Sequence, residues 1–229
     1  MIRPVTLLIS MAVAITAIVT PGVAAPVAAG ASPRMVESSV KRLKTAKSDV
    51  DGDGRKDSIR LDQLSATKYR LKVVTAKKKS SSVTIKLDVE KKFRKDIWYG
   101  LAQLDGAPGV ELILSESFFD GLDFEVFTWR SGKLVRETAP SGPDGDVIGW
   151  FAAPGPNGVQ GMHFFSSAGE RYVDFGRWSS DDFEAPYTAL VQRSVWRSGA
   201  WQKDTSFTLT GLSRDQVDLY WFSGVSVKR

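Results

Sequence analysis

The chain has 229 residues, a formal net charge of +5 and no cysteine. The absence of cysteine excludes a disulfide framework, thiolate metal sites and a lipid-anchored amino-terminal cysteine. Removal of an amino-terminal leader of 29 residues, which the pattern of those residues indicates, leaves about 200 residues. That length suits one domain with a core that is stable without cross-links.

Residues 1–29 are typical of a secretory signal peptide. Arg3 provides the positive charge, Val5–Val19 form an apolar run, and Val27–Ala29 form a small-residue cleavage site, with an alternative cut after Ala25. The run is too short for a comfortable membrane span, and no later segment approaches ~20 apolar residues. We therefore expect a secreted, extracellular protein, in solution or on the cell wall, with no membrane span after signal removal.

Residues 30–48 are predicted to be a short basic linker or a helix, because a weak three-to-four periodicity runs through Met35–Thr45. Positive charge is concentrated in residues 34–96, which hold 19 Lys and Arg against 9 Asp and Glu. This segment either contacts anionic wall polymers or lipid headgroups, or is an exposed and solvated strand face. No nucleic-acid partner is predicted.

The segment 49–57, Asp-Val-Asp-Gly-Asp-Gly-Arg-Lys-Asp, has the residue pattern of a calcium loop. Calcium takes six to eight oxygen ligands. We predict that Asp49, Asp51, Asp53 and Asp57 supply carboxylates, with the Arg55 carbonyl and water completing the shell. The alternative is a polar turn that binds nothing, but such a turn has no reason to bring four mutually repelling carboxylates together.

This loop differs from an EF-hand at its carboxyl-terminal end. An EF-hand has a bidentate Glu at loop position twelve and continues into a helix. Position twelve here is Arg60, and Ser58–Leu61 alternate as in a strand. The loop is therefore predicted to begin a β-strand.

A weak internal repeat indicates the architecture. With an offset of 54 residues, Asp51-Gly52 aligns with Asp105-Gly106 and Asp57 aligns with Glu111. A fainter third copy repeats the phrase Trp-Arg-Ser-Gly of residues 129–132, a predicted turn, at 196–199. The second loop keeps only two carboxylates, so we expect no metal there.

The predicted fold is all-β, with about three repeated antiparallel β-meander units in a propeller-like or compact open β assembly. One domain, 49–229, is divided into units of about 49–102, 103–150 and 151–229. The clearest strands are Val110–Ser115, Phe124–Arg130, Lys133–Glu137, Gln160–Phe165, Thr188–Arg197 and Trp201–Lys203.

The third unit carries about eighteen additional residues near Gly169–Pro186. They are interpreted as an inserted loop that binds a ligand, with aromatic and acidic side chains suited to sugar rings or to a basic protein. The candidate ligand-binding residues are Tyr172, Asp174, Trp178, Asp181 and Asp182. The alternative is a loop that covers an open sheet edge, with Phe175 and Trp178 buried.

A second acidic group surrounds a predicted hairpin tip and consists of Glu116, Asp120, Asp123 and Glu125. Paired carboxylates about 5–10 Å apart can hydrolyse a glycosidic bond, but solubilising residues at a hairpin tip are the simpler explanation. The lone histidine, His163, lies in an apolar run and has no G-x-S-x-G phrase near it. No catalytic residue is assigned.

The phrase of residues 49–57 resembles the DxDGDGxxD loop of FG-GAP/VCBS-type repeats of secreted bacterial proteins, and residues 98–111 resemble a degenerate second copy. The resemblance covers residues 49–137 and, more loosely, 147–203. It implies calcium-stabilised β-blades and, in larger relatives, an extracellular binding propeller without catalytic residues.

The sequence therefore predicts an exported, calcium-stabilised β-repeat domain that is not an enzyme and acts as a binding or adhesion module at the cell envelope. Its expected partner is a cell-wall polysaccharide or a secreted protein, and it is expected to be a monomer. The alternatives are an extracellular hydrolase acting on glycans through the acidic group, or an accessory domain with no specific ligand.

Overall fold

The computed structural model describes residues 40–118, 121–145, 149–155, 158–180, 186–218 and 222–229. The predicted signal peptide lies outside these residues. The described strands are β1 (Lys41–Ser48), β2 (Asp57–Gln63), β3 (Lys68–Val74), β4 (Ser80–Lys86), β5 (Trp98–Ala102), β6 (Glu111–Phe118), β7 (Gly121–Arg130), β8 (Lys133–Arg136), β9 (Trp150–Gly155), β10 (Gly158–Ser167), β11 (Glu170–Ser179), β12 (Tyr187–Arg197), β13 (Ala200–Leu212) and β14 (Phe222–Ser223).

Helix is confined to two short segments of the described chain, a 3₁₀ helix at Lys91–Asp96 and α1 at Arg214–Asp218. In the part of the chain that the structure describes, neither helix has the length and apolarity that crossing a membrane requires. All pairs of described strands are antiparallel except β10 with β14. The prediction of an antiparallel all-β fold is confirmed at this level.

The first sheet is a four-stranded meander in the order β1-β2-β3-β4. Ile59 pairs with Val73, and Leu61 pairs with Leu71. These four side chains are buried on one face, while the residues between them are more polar and face the other way. The period-two pattern of the sequence therefore decides which face of this sheet packs inward.

Residues 41–48 form β1 rather than the linker or helix expected for 30–48. The register with β2 shifts between Arg42 and Lys44, because Leu43 is the additional residue of a β-bulge. The bulge places Leu43 and Ala46, three positions apart, on the same side against the core. That spacing imitates helical periodicity, which explains the wrong prediction.

The other ten strands form one sheet in the order β13-β12-β11-β10-β9-β7-β6-β5, with β8 on β7 and β14 on β10. Strand β7 is shared between two meanders. Its carboxyl-terminal half pairs with β8, whereas Leu122 and Phe124 in its other half pair with Ala152 and Trp150 of β9. Strands β5–β8 and β9–β13 are thus two meanders joined along β7.

Three tight hairpins use the same two-residue turn. Ser131–Gly132, Ala168–Gly169 and Ser198–Gly199 each have positive φ at both positions, with values of 50° and 81°, 51° and 81°, and 54° and 78°. Positive φ at both central residues defines the type I′ turn, whose twist matches that of antiparallel strands. The predicted turn at Ser131–Gly132 and its recurrence at 198–199 are confirmed.

Side chains of the β5–β8 meander enter two different hydrophobic clusters. Leu112 and Leu114 of β6 pack against the first sheet in a cluster that we call core 1. Ile113 of the same strand points the other way, into core 2, where Phe164 of β10 and Phe175 of β11 also lie. A strand buried on both faces needs a continuous apolar run, and residues 112–114 provide one.

The extra length of the third unit is mostly a strand, not the loop expected at Gly169–Pro186. Residues 170–179 form β11, which lies between β10 and β12. Phe175 packs in core 2, and Trp178 packs on the opposite face beneath Val217 of α1. The two aromatic side chains are buried, as the alternative interpretation predicted, although in a strand.

Replacing Phe175 by Ala is expected to lower the free energy of unfolding by about 3–5 kcal/mol, because it leaves a cavity in core 2. The matched control is Leu190→Ala in the neighbouring β12. That side chain is 42% exposed, and its removal should change stability by less than about 0.5 kcal/mol. Urea titrations measure both, and equal losses would contradict the assignment of core 2.

Candidate metal centre

The predicted calcium loop joins β1 to β2, and Asp57 is the first residue of β2. The Asp57 side chain is fully buried. Its Oδ2 accepts hydrogen bonds from the amides of Val50 (2.7 Å) and Asp51 (3.3 Å), and its Oδ1 accepts one from Ala76 in the β3–β4 turn (2.8 Å). Asp57 therefore ties the loop to the neighbouring turn of the first sheet.

The loop backbone wraps around Asp49. Its Oδ1 accepts from the amides of Gly52 (2.8 Å) and Asp53 (3.1 Å), and its Oδ2 accepts from Gly54 (2.7 Å). The two glycines have φ of 74° and 81°, which side chains other than glycine rarely adopt. These local hydrogen bonds fix the loop, and Oδ1 of Asp51 accepts a further one from the Asp53 amide at 3.3 Å.

One oxygen from each of Asp49, Asp51 and Asp57 lies within 4.8 Å of the others. Partial burial, followed by repulsion from Asp57 and Asp53, raises the pKa of Asp51. Repulsion of this kind is relieved by a cation placed among the oxygens. Three of the four predicted carboxylate ligands therefore converge, and the cluster can hold a metal ion.

Asp53, the fourth predicted ligand, is paired with side-chain cations instead. Its Oδ2 lies 3.0 Å from a guanidinium nitrogen of Arg55 and 3.2 Å from the Lys77 ammonium. The hydrogen bond from Arg55 is the main reason that the pKa of Asp53 is lowered to about 2. The Arg55 amide also donates to Asp53, and the role of the Arg55 carbonyl as a ligand stays a prediction.

The second loop, between β5 and β6, repeats the principal hydrogen bond of the first. The Leu104 amide donates to Oε2 of Glu111 at 2.7 Å, in the positions that the offset of 54 residues equates with Val50 and Asp57. The two loops also touch, since a Cβ on Gly52 would lie 2.5 Å from the Cβ of Pro108. The repeat detected in the sequence thus has a counterpart in hydrogen bonding.

A second acidic cluster forms behind this loop. Oxygens of Asp105, Glu111 and Glu137 lie within 4.8 Å of one another, and all three residues are buried. The guanidinium of Arg130 contacts Asp105 and lies 3.8 Å from Glu111. Sequence reasoning found Asp105 and Glu111 but missed Glu137, which comes directly after β8 and belongs to neither loop.

Burial raises the pKa of both glutamates in this cluster. The pKa of Glu111 rises to about 7, first through burial and then through repulsion from Asp105. The pKa of Glu137 rises to about 9, first through burial and then through repulsion from Glu111 and Asp105. In the absence of a metal ion, and at pH values between 4.5 and these raised pKa values, the two glutamates therefore stay protonated in the folded protein and lose their protons on unfolding.

The candidate ligand-binding residues of the third unit lie on β11. Tyr172 and Asp174 share one face of that strand, where Asp174 pairs with Arg193 at 2.7 Å. Trp178 lies farther along the same face but is buried under α1, so its indole does not present a surface to a ligand. Asp181 and Asp182 lie outside the described residues.

The acidic group of the second unit is distributed along β6 and β7. Glu116 pairs across the strands with Asp123 and accepts a hydrogen bond from the amide of Asp88 (2.6 Å). Glu125 is paired with Arg136 at 2.9 Å. Asp120 lies outside the described residues.

The histidine is held at a sheet position. His163 lies on β10 with its Nδ1 2.9 Å from Oγ of Ser223. Burial lowers the pKa of His163. Its ring stacks on Phe165, with centroids 5.9 Å apart, so packing accounts for its position.

No family model, curated protein or solved structure matches the chain.

With metal removed by a chelator, the free energy of unfolding is expected to fall as pH rises from about 5 to about 9. A carboxyl group whose pKa in the folded protein lies above its ordinary value of 4.5 stabilises the fold while it is protonated. This contribution to the free energy of unfolding is lost as pH rises from the ordinary pKa to the raised one. Glu137→Gln should flatten the pH dependence, since Gln does not titrate. Urea titrations across this range test it, with exposed Glu90→Gln as the control; an unchanged slope in Glu137→Gln would contradict it.

Proposed function

We propose that the chain is an exported, calcium-stabilised β-repeat domain that acts as a non-catalytic binding or adhesion module at the cell envelope. The observation that carries the proposal is the convergence of Asp49, Asp51 and Asp57 in the loop that joins β1 to β2. Export is expected from the leader in residues 1–29.

Calcium is the ion that this donor set suits best. The convergent ligands are all oxygen atoms, which hard cations prefer. Asp49 and Asp51 are partly exposed, so water has access to complete a shell of six to eight oxygens. Because Asp57 also holds the β3–β4 turn through Ala76, an ion here would fasten the loop, β2 and that turn together, which is a structural role.

The arrangement of the sheets supports a repeat architecture of the kind that FG-GAP/VCBS proteins have. Strands β1–β4 and β5–β8 are successive four-stranded antiparallel meanders, and β9–β13 form a five-stranded one. The first two begin with hairpin loops that share the same carboxylate–amide hydrogen bond. We infer that these meanders are blade-like units of one assembly.

The outward face of β10–β12 is the proposed binding surface. The rings of Phe165 and Tyr172 stack with centroids 5.3 Å apart and 12° between their planes. The Arg193 guanidinium lies 4.8 Å from the Phe165 centroid and is held by Asp174 through two hydrogen bonds of 2.7 and 2.8 Å. Flat aromatic faces beside fixed donors and acceptors suit the rings and hydroxyl groups of a cell-wall polysaccharide.

Calcium is expected to raise the melting temperature of the purified protein. Saturation at 100 times the dissociation constant adds about 2.7 kcal/mol to the free energy of unfolding. Asp51→Asn should diminish this rise, because it removes one convergent carboxylate. Thermal melts with calcium and with a chelator measure the effect, and Asp218→Asn, an exposed residue of α1, is the control. An undiminished rise in Asp51→Asn would overturn the metal assignment.

Tyr172→Ala is expected to weaken retention on purified cell-wall polysaccharide by about tenfold, or about 1.4 kcal/mol, because it removes half of the stacked pair. Leu190→Ala, exposed on the same sheet, is the control. Affinity electrophoresis against an array of envelope glycans provides the measurement. Equal retention of wild type and Tyr172→Ala would remove this face from the proposal, and binding of secreted proteins alone would replace the polysaccharide as ligand.

A further inference from the structure

The second acidic cluster brings three carboxylates into the interior from separate parts of the chain. Asp105 comes from the β5–β6 loop, Glu111 from the start of β6, and Glu137 from the residue after β8. Asp105 and Glu111 are 1% exposed and Glu137 is 5% exposed, and one oxygen of each lies within 4.8 Å of the others. Burying an ionised carboxylate is costly unless its charge is compensated.

Hydrogen bonds satisfy part of this cluster. Oε2 of Glu111 accepts from the Leu104 amide at 2.7 Å, and Oε1 accepts from the Thr128 hydroxyl at 3.1 Å. Oδ1 of Asp105 accepts from the Ala107 amide at 2.7 Å. These donors orient both carboxylates, but they are neutral and do not cancel the charge.

Hydrogen bonding within the described residues holds one carboxylate oxygen of Glu137 and leaves the other without a partner. Its Oε1 accepts from the indole Nε1 of Trp201 at 3.0 Å, and its backbone carbonyl accepts from Trp150 at 3.0 Å. Its Oε2 is buried and receives no hydrogen bond from any residue that the structure describes. This buried oxygen without a hydrogen bond is evidence independent of the closeness of the three carboxylates. It indicates that an electron-pair acceptor, such as a cation, binds there.

The positive charge within reach is smaller than the negative charge. Arg130 contacts Asp105 and lies 3.8 Å from Glu111. Arg171, the other nearby guanidinium, donates to the backbone carbonyls of Leu104 (2.8 Å) and Gln103 (3.2 Å). When all three carboxylates are ionised, as in a metal complex, the one directly bonded guanidinium leaves two negative charges, which a single divalent cation would neutralise.

We propose that Asp105, Glu111 and Glu137 form a second, buried site for a divalent cation of the calcium type. The donors are exclusively carboxylate oxygens, which hard cations prefer. Magnesium dehydrates reluctantly and keeps several waters, whereas calcium accepts bidentate carboxylates and a larger share of protein ligands. A site whose ligands are at most 5% exposed therefore favours calcium over magnesium.

This site goes beyond the first metal centre and shares no residue with it. Its ion would connect the second loop to the end of β8 and, through Trp201, to β13. It therefore joins the second meander to the third, whereas the cluster at Asp49 lies within the first sheet and its loop.

The test counts bound ions. Calcium is titrated by calorimetry into the full-length, metal-depleted protein at about pH 8, where fewer protons compete with the metal. Wild type is expected to bind two equivalents, Asp51→Asn and Glu137→Gln one each, and the double variant none. If Glu137→Gln binds as many ions as wild type, the second site is overturned. If wild type binds one ion and Asp51→Asn binds none, the second site alone is overturned. If wild type binds one ion and only Glu137→Gln loses it, the first site alone is overturned.

A luminescence measurement keeps the proposal falsifiable if Glu137→Gln fails to fold. Terbium bound beside a tryptophan emits when the indole is excited, and Trp201 donates to Glu137. In the Asp51→Asn background, this emission is expected to persist and to fall when Trp201 is replaced by Phe. No emission in Asp51→Asn would overturn the site, and so would emission that is unchanged after both Trp201→Phe and Trp150→Phe, because both indoles contact Glu137. Magnesium that competes with terbium as well as calcium does would overturn the calcium assignment.

Discussion

The hydrogen bond between a buried carboxylate and a backbone amide seven residues earlier governs both hairpin loops. Asp57 bonds the amide of Val50, and Glu111 bonds that of Leu104, each at 2.7 Å. Each bond closes a loop at the point where a strand enters the core and satisfies an amide that would otherwise be buried without a partner. Each bond also withdraws a carboxylate from water, which is unfavourable unless its charge is compensated.

Burial of the β5–β8 meander on both faces explains why the second loop differs from the first. Its strands are covered on both faces by core 1 and core 2, so polar groups at their ends have little access to water. In the first sheet, Asp49 and Asp51 remain partly exposed at the rim. In the second unit, Asp105 and Glu111 are enclosed and meet Glu137. The same local motif thus gives a partly solvent-exposed cluster of carboxylates in the first unit and a buried cluster in the second.

Much of the β architecture could be predicted from alternation, glycine turns and the repeat, because these are local properties. The convergence of carboxylates in the loop 49–57 is local too, since its aspartates alternate and its amides orient them. Strand β1 is not predicted because the bulge turns Leu43 to the same face as Ala46, and a spacing of three residues is typical of a helix. Glu137 was missed because its neighbours come from distant positions in the chain. Strand β11 was interpreted as a loop because it carries large side chains on both faces, a pattern without clear alternation.

Among the described strands, β1 and β13 each end a sheet and pair with one neighbour, and both carry irregularities. The register of β1 shifts near Leu43, and that of β13 against β12 shifts at two places. Charged side chains, including Lys44 on β1 and Lys203 and Asp204 on β13, line these edges. A bent edge that carries charge is a poor template for another strand. At these two edges the sheets can therefore end in water without inviting edge-to-edge aggregation, which would matter for a chain that is exported as proposed.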